Sequence, residues 1–174
     1  MKTLNPRILL ASALLLAFPA CAQTGRSPVR PQEGKPMPDV QAMFPNACYS
    51  GIVPQKDVCL KDGRSEGPPV VELGSQRATG DLDGDGAPET ALLLTRDPKS
   101  PDQQVYLVIA AWRGDRIATL ATTPLGSSVS VSAFEIRGGQ VHIEGQRSAS
   151  ARTAMMPASL AYTLKEGKLV EGKP

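Results

Sequence analysis

A chain of 174 residues, 41% hydrophobic and 21% charged, is long enough to bury one core and too short for two domains of ordinary size. It carries 19 Lys+Arg against 17 Asp+Glu, and setting aside Lys2 and Arg7 at the start leaves 17 of each. A near-neutral chain without a Lys/Arg run lacks the basic stripe that nucleic acid requires. It equally lacks the polybasic patch that holds a protein on an anionic membrane.

The first segment has the layout of a secretory signal. Lys2 and Arg7 are basic, Ile8 to Phe18 are apolar, and Pro19-Ala20-Cys21-Ala22 closes the run with small residues. The apolar run falls short of the roughly 20 residues that cross a bilayer, and the longest later one, Tyr106 to Trp112, is strand-sized. Two processing sites fit. Residues 1–22 form a signal peptide cleaved before Gln23, or residues 1–20 form a lipoprotein signal that leaves Cys21 as the lipidated first residue. The expectation is an exported protein, periplasmic or membrane-anchored as a bacterial lipoprotein, touching the membrane only through a lipid at Cys21.

Residues 23–45 read as a linker. Gly25, Pro28, Pro31, Gly34, Pro36 and Pro38 stand among few bulky apolar residues, so this stretch buries too little surface to offset its ordering entropy. Asp39 to Phe44 fits one or two helical turns before Pro45. Residues 46–69 form a short lead-in. Three cysteines leave one unpaired; Cys21 accounts for it, and an oxidising compartment favours a Cys48–Cys59 disulfide. No CxxC spacing supports a structural zinc site. Tyr49 to Val53 fits a strand, and Asp62 to Pro69 is loop by composition.

From residue 70 to 174 the signals are β. Val70 to Leu73 is a strand candidate. Ala91-Leu92-Leu93-Leu94 is a continuous apolar run, as expected of a strand buried on both faces. Gln104 to Trp112 and Arg116 to Thr123 form a hairpin across Arg113-Gly114-Asp115. That tripeptide matches an integrin-type motif, but a hairpin turn explains it. Val129 and Val131 share one parity and Phe134 and Ile136 the other, which predicts a bulge near Ala133 or Phe134. Gly138-Gly139 turns the chain into Gln140 to Arg147. Residues 148–158 read as an irregular loop, and Leu160 to Leu164 pairs back with Lys168 to Val170 across Glu166-Gly167. The expected fold is all-β: an antiparallel meander sheet or small β-sandwich of about seven strands.

Residues 80–90, Gly-Asp-Leu-Asp-Gly-Asp-Gly-Ala-Pro-Glu-Thr, carry the chemistry. Asp81, Asp83 and Asp85 occupy alternate positions of a tight loop, Gly86 supplies the sharp turn, and Glu89 closes it. Calcium takes six to eight oxygens, and alternating carboxylates in a turning backbone supply several. The expected ligands are the side chains of Asp81, Asp83 and Asp85, the Ala87 carbonyl, and Glu89 directly or through water. An EF-hand is excluded, because its twelfth position would need Glu and here holds Leu92. The competing reading is a solvated Asp/Gly turn held by its own Asx hydrogen bonds.

The loop resembles the FG-GAP/VCBS type of calcium loop, with the pattern Asp-x-Asp-x-Asp-Gly-x-x-Asp between two strands and Glu89 in place of the final Asp. The order of Gly80 to Gly86, Val105 to Val108, Ala118 to Leu120 with Leu125-Gly126, Gly138 to Val141 and Tyr162 to Val170 is similar to a family of exported bacterial proteins and lipoproteins of unassigned function. That resemblance implies export and a β fold, and it transfers no activity.

Other candidates are weaker. His142, the single histidine, sits between Val141 and Ile143 with no nucleophile signature to make a triad. Glu135 and Glu144 flank the Gly-Gly hairpin as cross-strand surface charges do. Met155-Met156 fits loop packing better than copper ligation. With no catalytic constellation, the expected function is a calcium-stabilised, non-enzymatic β-domain that binds an envelope protein or glycan. The alternatives are an inhibitor or chaperone-like partner of an envelope enzyme, with the 148–158 loop in its cleft, and a calcium-dependent hydrolase.

Overall fold

Eleven strands in two antiparallel sheets make up the fold in the computed structural model, which describes residues 39–150 and 152–173. The signal segment 1–22, Cys21 and linker residues 23–38 lie outside the described residues. The larger sheet has seven strands in sequence order: β1 (Cys48–Val53), β2 (Lys56–Lys61), β3 (Arg64–Ser65), β4 (Val71–Gly80), β5 (Glu89–Arg96), β6 (Gln104–Arg113) and β7 (Arg116–Gly126). The smaller sheet has four: β8 (Ser128–Arg137), β9 (Gln140–Ser148), β10 (Met156–Lys165) and β11 (Lys168–Gly172). The all-β, antiparallel expectation holds, while the strand count rises from about seven to eleven.

The additional strands come from places where the apolar signal is thin. In β2, Val58 and Leu60 alternate with Asp57, Cys59 and Lys61, and only Val58 and Leu60 are buried. Arg64–Ser65 forms a two-residue strand inside the expected loop 62–69, pairing with Leu60, Lys61 and Glu72. The expected loop at 148–158 is shorter too, since β9 runs to Ser148 and β10 starts at Met156.

Two cores lie on the two faces of the large sheet. Along β5, Leu92 and Leu94 face one core and Ala91 and Leu93 the other; β6 repeats this with Tyr106, Val108 and Ala110 against Val105, Leu107 and Ile109. Residues in a strand alternate sides, so a continuous apolar run marks a strand covered on both faces. The first core includes Phe44, Tyr49, Ile52, Val71 and Ile117. Phe44 is fully buried, so the folded unit takes in the short helix α1 (Val40–Met43) and the 3-10 turn Phe44–Asn46. Tyr49 donates to the Phe44 carbonyl at 2.7 Å, and burial pushes its phenol well above the ordinary range. The second core lies between the sheets, where Val141, Ile143, Leu160 and Tyr162 meet Leu107, Ile109 and Leu125.

The large sheet curls until its edge strands meet. The Ser50 amide donates to Thr119 Oγ1 at 3.2 Å, and Thr122 Oγ1 donates to the Ser50 carbonyl at 2.9 Å. This side-chain seam covers edge groups that would otherwise template pairing with another chain.

Cys48 and Cys59 are bonded, directly across the β1–β2 pair. A double Cys→Ser variant is expected to lose about 2–4 kcal/mol, because the open chain gains conformational freedom. Urea unfolding of the oxidised protein against the variant checks this; a midpoint unchanged within error would show the hairpin to be held by β1–β2 pairing alone.

Candidate metal centre

The acidic loop is the connection between two central strands. Gly80 ends β4, Glu89 starts β5, and the two residues face each other as the closing pair of the hairpin. Strands flank the loop on both sides, so an EF-hand is excluded structurally as well. Leu82 fastens it: its side chain is buried in the inter-sheet core, while Asp81 and Asp83 on either side are exposed. Alternation thus pins one residue inward and turns two carboxylates outward. Gly86, with φ +84°, supplies the left-handed step that the spacing of the motif anticipated.

The loop folds on its own carboxylates. Asp81 accepts from the Gly84 amide at 2.7 Å and the Gly86 amide at 3.1 Å. Asp83 accepts from Asp85 N–H at 3.1 Å, and Asp85 from Ala87 N–H at 2.7 Å. The Asp83 and Asp85 bonds are Asx turns, and a metal-free acidic loop also makes bonds of this local kind, so by themselves they do not select an ion.

Glu89 is different. Its side chain is fully buried, and its Oε2 accepts from the Leu82 amide at 2.9 Å. Its Oε1 is buried with no hydrogen-bond partner. A buried carboxylate oxygen without a hydrogen bond is costly, and Arg113 Nη2 stands 3.7 Å from this one. Glu89 belongs to a group in which one carboxylate oxygen each from Asp81, Asp83 and Glu89 lies within 4.8 Å of the others, the one such group of three among the described residues. Oxygens bound to one calcium at 2.3–2.6 Å stand within about 5 Å of each other, so the spacing fits. Of the four expected carboxylate ligands, three converge. Asp85 turns one oxygen to Ala87 N–H and approaches Arg113 with the other, at 3.8 Å.

Arg113, at the end of β6, is the group that sequence reasoning missed. Its Nη2 lies 3.9 Å from Asp83, 3.8 Å from Asp85 and 3.7 Å from Glu89. The signal that locates it is strand parity. Val105, Leu107 and Ile109 face the inter-sheet core, and two further steps of two reach Arg113. Ala111 pairs with Glu89, which brings Arg113 to the loop.

The remaining candidates stay dispersed. His142 is partly buried, opposite Glu135 on one side and Ala161 on the other. Glu135 pairs with Arg137 at 3.2 Å, and Glu144 faces Ala133. Met155 and Met156 are exposed. An open groove of about 570 Å³ between β1 and the start of β7 includes Asp57, Asp115 and Arg116 in its lining and lies apart from the acidic loop's own residues. In comparison with known proteins, the chain matches no protein-family model, no curated protein and no solved structure.

Proposed function

We propose that this chain is an exported, non-enzymatic β-domain with one structural calcium ion in the loop Asp81–Glu89, acting as a binding module toward an envelope protein or glycan. The convergence of one carboxylate oxygen each from Asp81, Asp83 and the fully buried Glu89, whose Oε1 has no hydrogen bond, supports the calcium part of this reading. Asp81, Asp83 and Glu89 would hold the ion, with Asp85 and the Ala87 carbonyl completing an FG-GAP/VCBS-type loop. The ion would supply charge neutralisation, offsetting the repulsion of four carboxylates within nine residues. The export-type leader, the Pro/Gly-rich segment after it and the two-core scaffold suit a domain displayed at the envelope, either free in the periplasm or anchored through Cys21.

Thermal unfolding in EDTA and in about 10 mM calcium tests the site. With dissociation constants on the order of 10⁻⁴–10⁻³ M, typical of extracellular modules, the ion stabilises the folded state by roughly 1.4–2.7 kcal/mol at that concentration. A melting temperature several degrees higher, with the rise lost in Asp83→Ala, is the expected result. No rise at that concentration overturns the calcium reading and leaves an Asx-bonded turn.

A further inference from the structure

Arg113 stands almost equally far from three carboxylates: 3.9 Å from Asp83, 3.8 Å from Asp85 and 3.7 Å from Glu89. All three contacts run to a single nitrogen, Nη2, and all exceed ordinary hydrogen-bond length. A guanidinium engaging one carboxylate makes two short parallel bonds. Here one nitrogen instead sits at the focus of several charges, the place a small cation would take. Two of the three carboxylates, Asp83 and Glu89, also belong to the converging triad.

We propose that Arg113 is a built-in counter-cation of the acidic loop that competes with the divalent ion, so that ion binding releases the guanidinium from the loop. The proposal rests on the calcium reading above and adds its regulation. In the ion-free protein, Arg113 offsets the mutual repulsion of the carboxylates and ties the β6–β7 hairpin to the β4–β5 loop. When a divalent cation takes Asp83 and Glu89, the guanidinium loses those partners and is repelled by the ion. The Arg113 side chain is 40% exposed, so an outward path to water exists without unfolding β6. The affinity of the loop is thereby set below what its carboxylates alone would give, and the Arg113 guanidinium is free of the loop only in the ion-loaded state.

Calorimetric titration of calcium into the full oxidised chain compares wild type with Arg113→Gln and Arg113→Lys. Arg113→Gln is expected to bind calcium about 10-fold more tightly, as loss of a nearby, partly screened like charge implies, and to melt at a lower temperature in EDTA. Arg113→Lys keeps the charge and is expected to stay within about 3-fold of wild type. An affinity for Arg113→Gln equal to or weaker than wild type overturns the competition while leaving the calcium site standing. Absence of binding in every variant overturns the site itself, and the competition with it. Should Arg113→Gln fail to fold, the Arg113 Nε–H resonance of the wild-type protein decides: calcium is expected to move it toward fast exchange with water, and an unmoved resonance beside shifting loop amides overturns the proposal.

Discussion

Replacing Gly145 with alanine is expected to cost roughly 3–5 kcal/mol, the sum of a strained backbone and a collision in a packed site. Gly145 lies in β9 with φ +157°, and a Cβ built there would stand 1.9 Å from the Ser130 carbonyl oxygen and 3.0 Å from Val131 Cα. These atoms are backbone of the neighbouring strand, so no rotamer change relieves the clash. Gly145 pairs with Val131, and the β8 register slips between Val131 and Ala133. The bulge on β8 and the glycine on β9 are therefore two halves of one device, in which the bulged strand presses its backbone into space a side chain would fill. Gly139→Ala is the control. Gly139 has φ +71° with nothing within 4 Å of its Cβ position, so it should lose only the left-handed penalty of about 1–2 kcal/mol. Urea unfolding of both variants measures the difference, and a Gly145→Ala protein within about 1 kcal/mol of wild type would show that β8 can shift away and that its bulge is soft.

The same bulge shows what a single sequence discloses. The change of parity from Val129 and Val131 to Phe134 and Ile136 is a local signal, and all four are partly buried against the inter-sheet core. The run Ala91 to Leu94 likewise announced a strand covered on both faces, and such coverage requires a second layer. The second half of β4 was not legible. Gly74-Ser75-Gln76-Arg77 has neither apolar alternation nor β-branched residues, and it spans a slip in the β4–β5 register, which pairs Leu73 with Leu94 and then Arg77 with Leu92. Nor was the curl of the large sheet, which depends on Ser50 meeting Thr119 and Thr122, 69 and 72 residues away. Hydroxyl residues at that separation leave no periodic trace. In the acidic loop, Asp81, Asp83 and Glu89 were visible because chelation spacing is local. Arg113 was hidden because it reaches the loop only through the β5–β6 register, while the burial of Leu82 depends on a sheet contributed by residues far downstream.

Glu89 separates structural from ionic roles, because its two oxygens do different work. Oε2 accepts the Leu82 N–H; Oε1 has no hydrogen bond and lies 3.7 Å from Arg113 Nη2, and one carboxylate oxygen of the residue converges with Asp81 and Asp83. Glu89→Ala removes both, leaving a buried N–H without its acceptor and a cavity at the end of the inter-sheet core. The expected loss in EDTA is about 2–4 kcal/mol. Glu89→Gln retains an amide oxygen for Leu82 N–H at nearly the same volume, so its stability in EDTA should stay within about 1 kcal/mol of wild type. The two variants should then part from wild type in the same way when calcium is added. Both lose the stabilisation that the ion gives, Glu89→Ala from a weakened fold and Glu89→Gln from an intact one. Paired denaturation curves in EDTA and in about 10 mM calcium, a concentration chosen for sites of this class, read both effects from the same samples. If calcium raised the midpoint of Glu89→Gln as much as that of wild type, the ion would be held by oxygens other than Glu89 Oε1, and the buried carboxylate would be there for Leu82 and Arg113 instead.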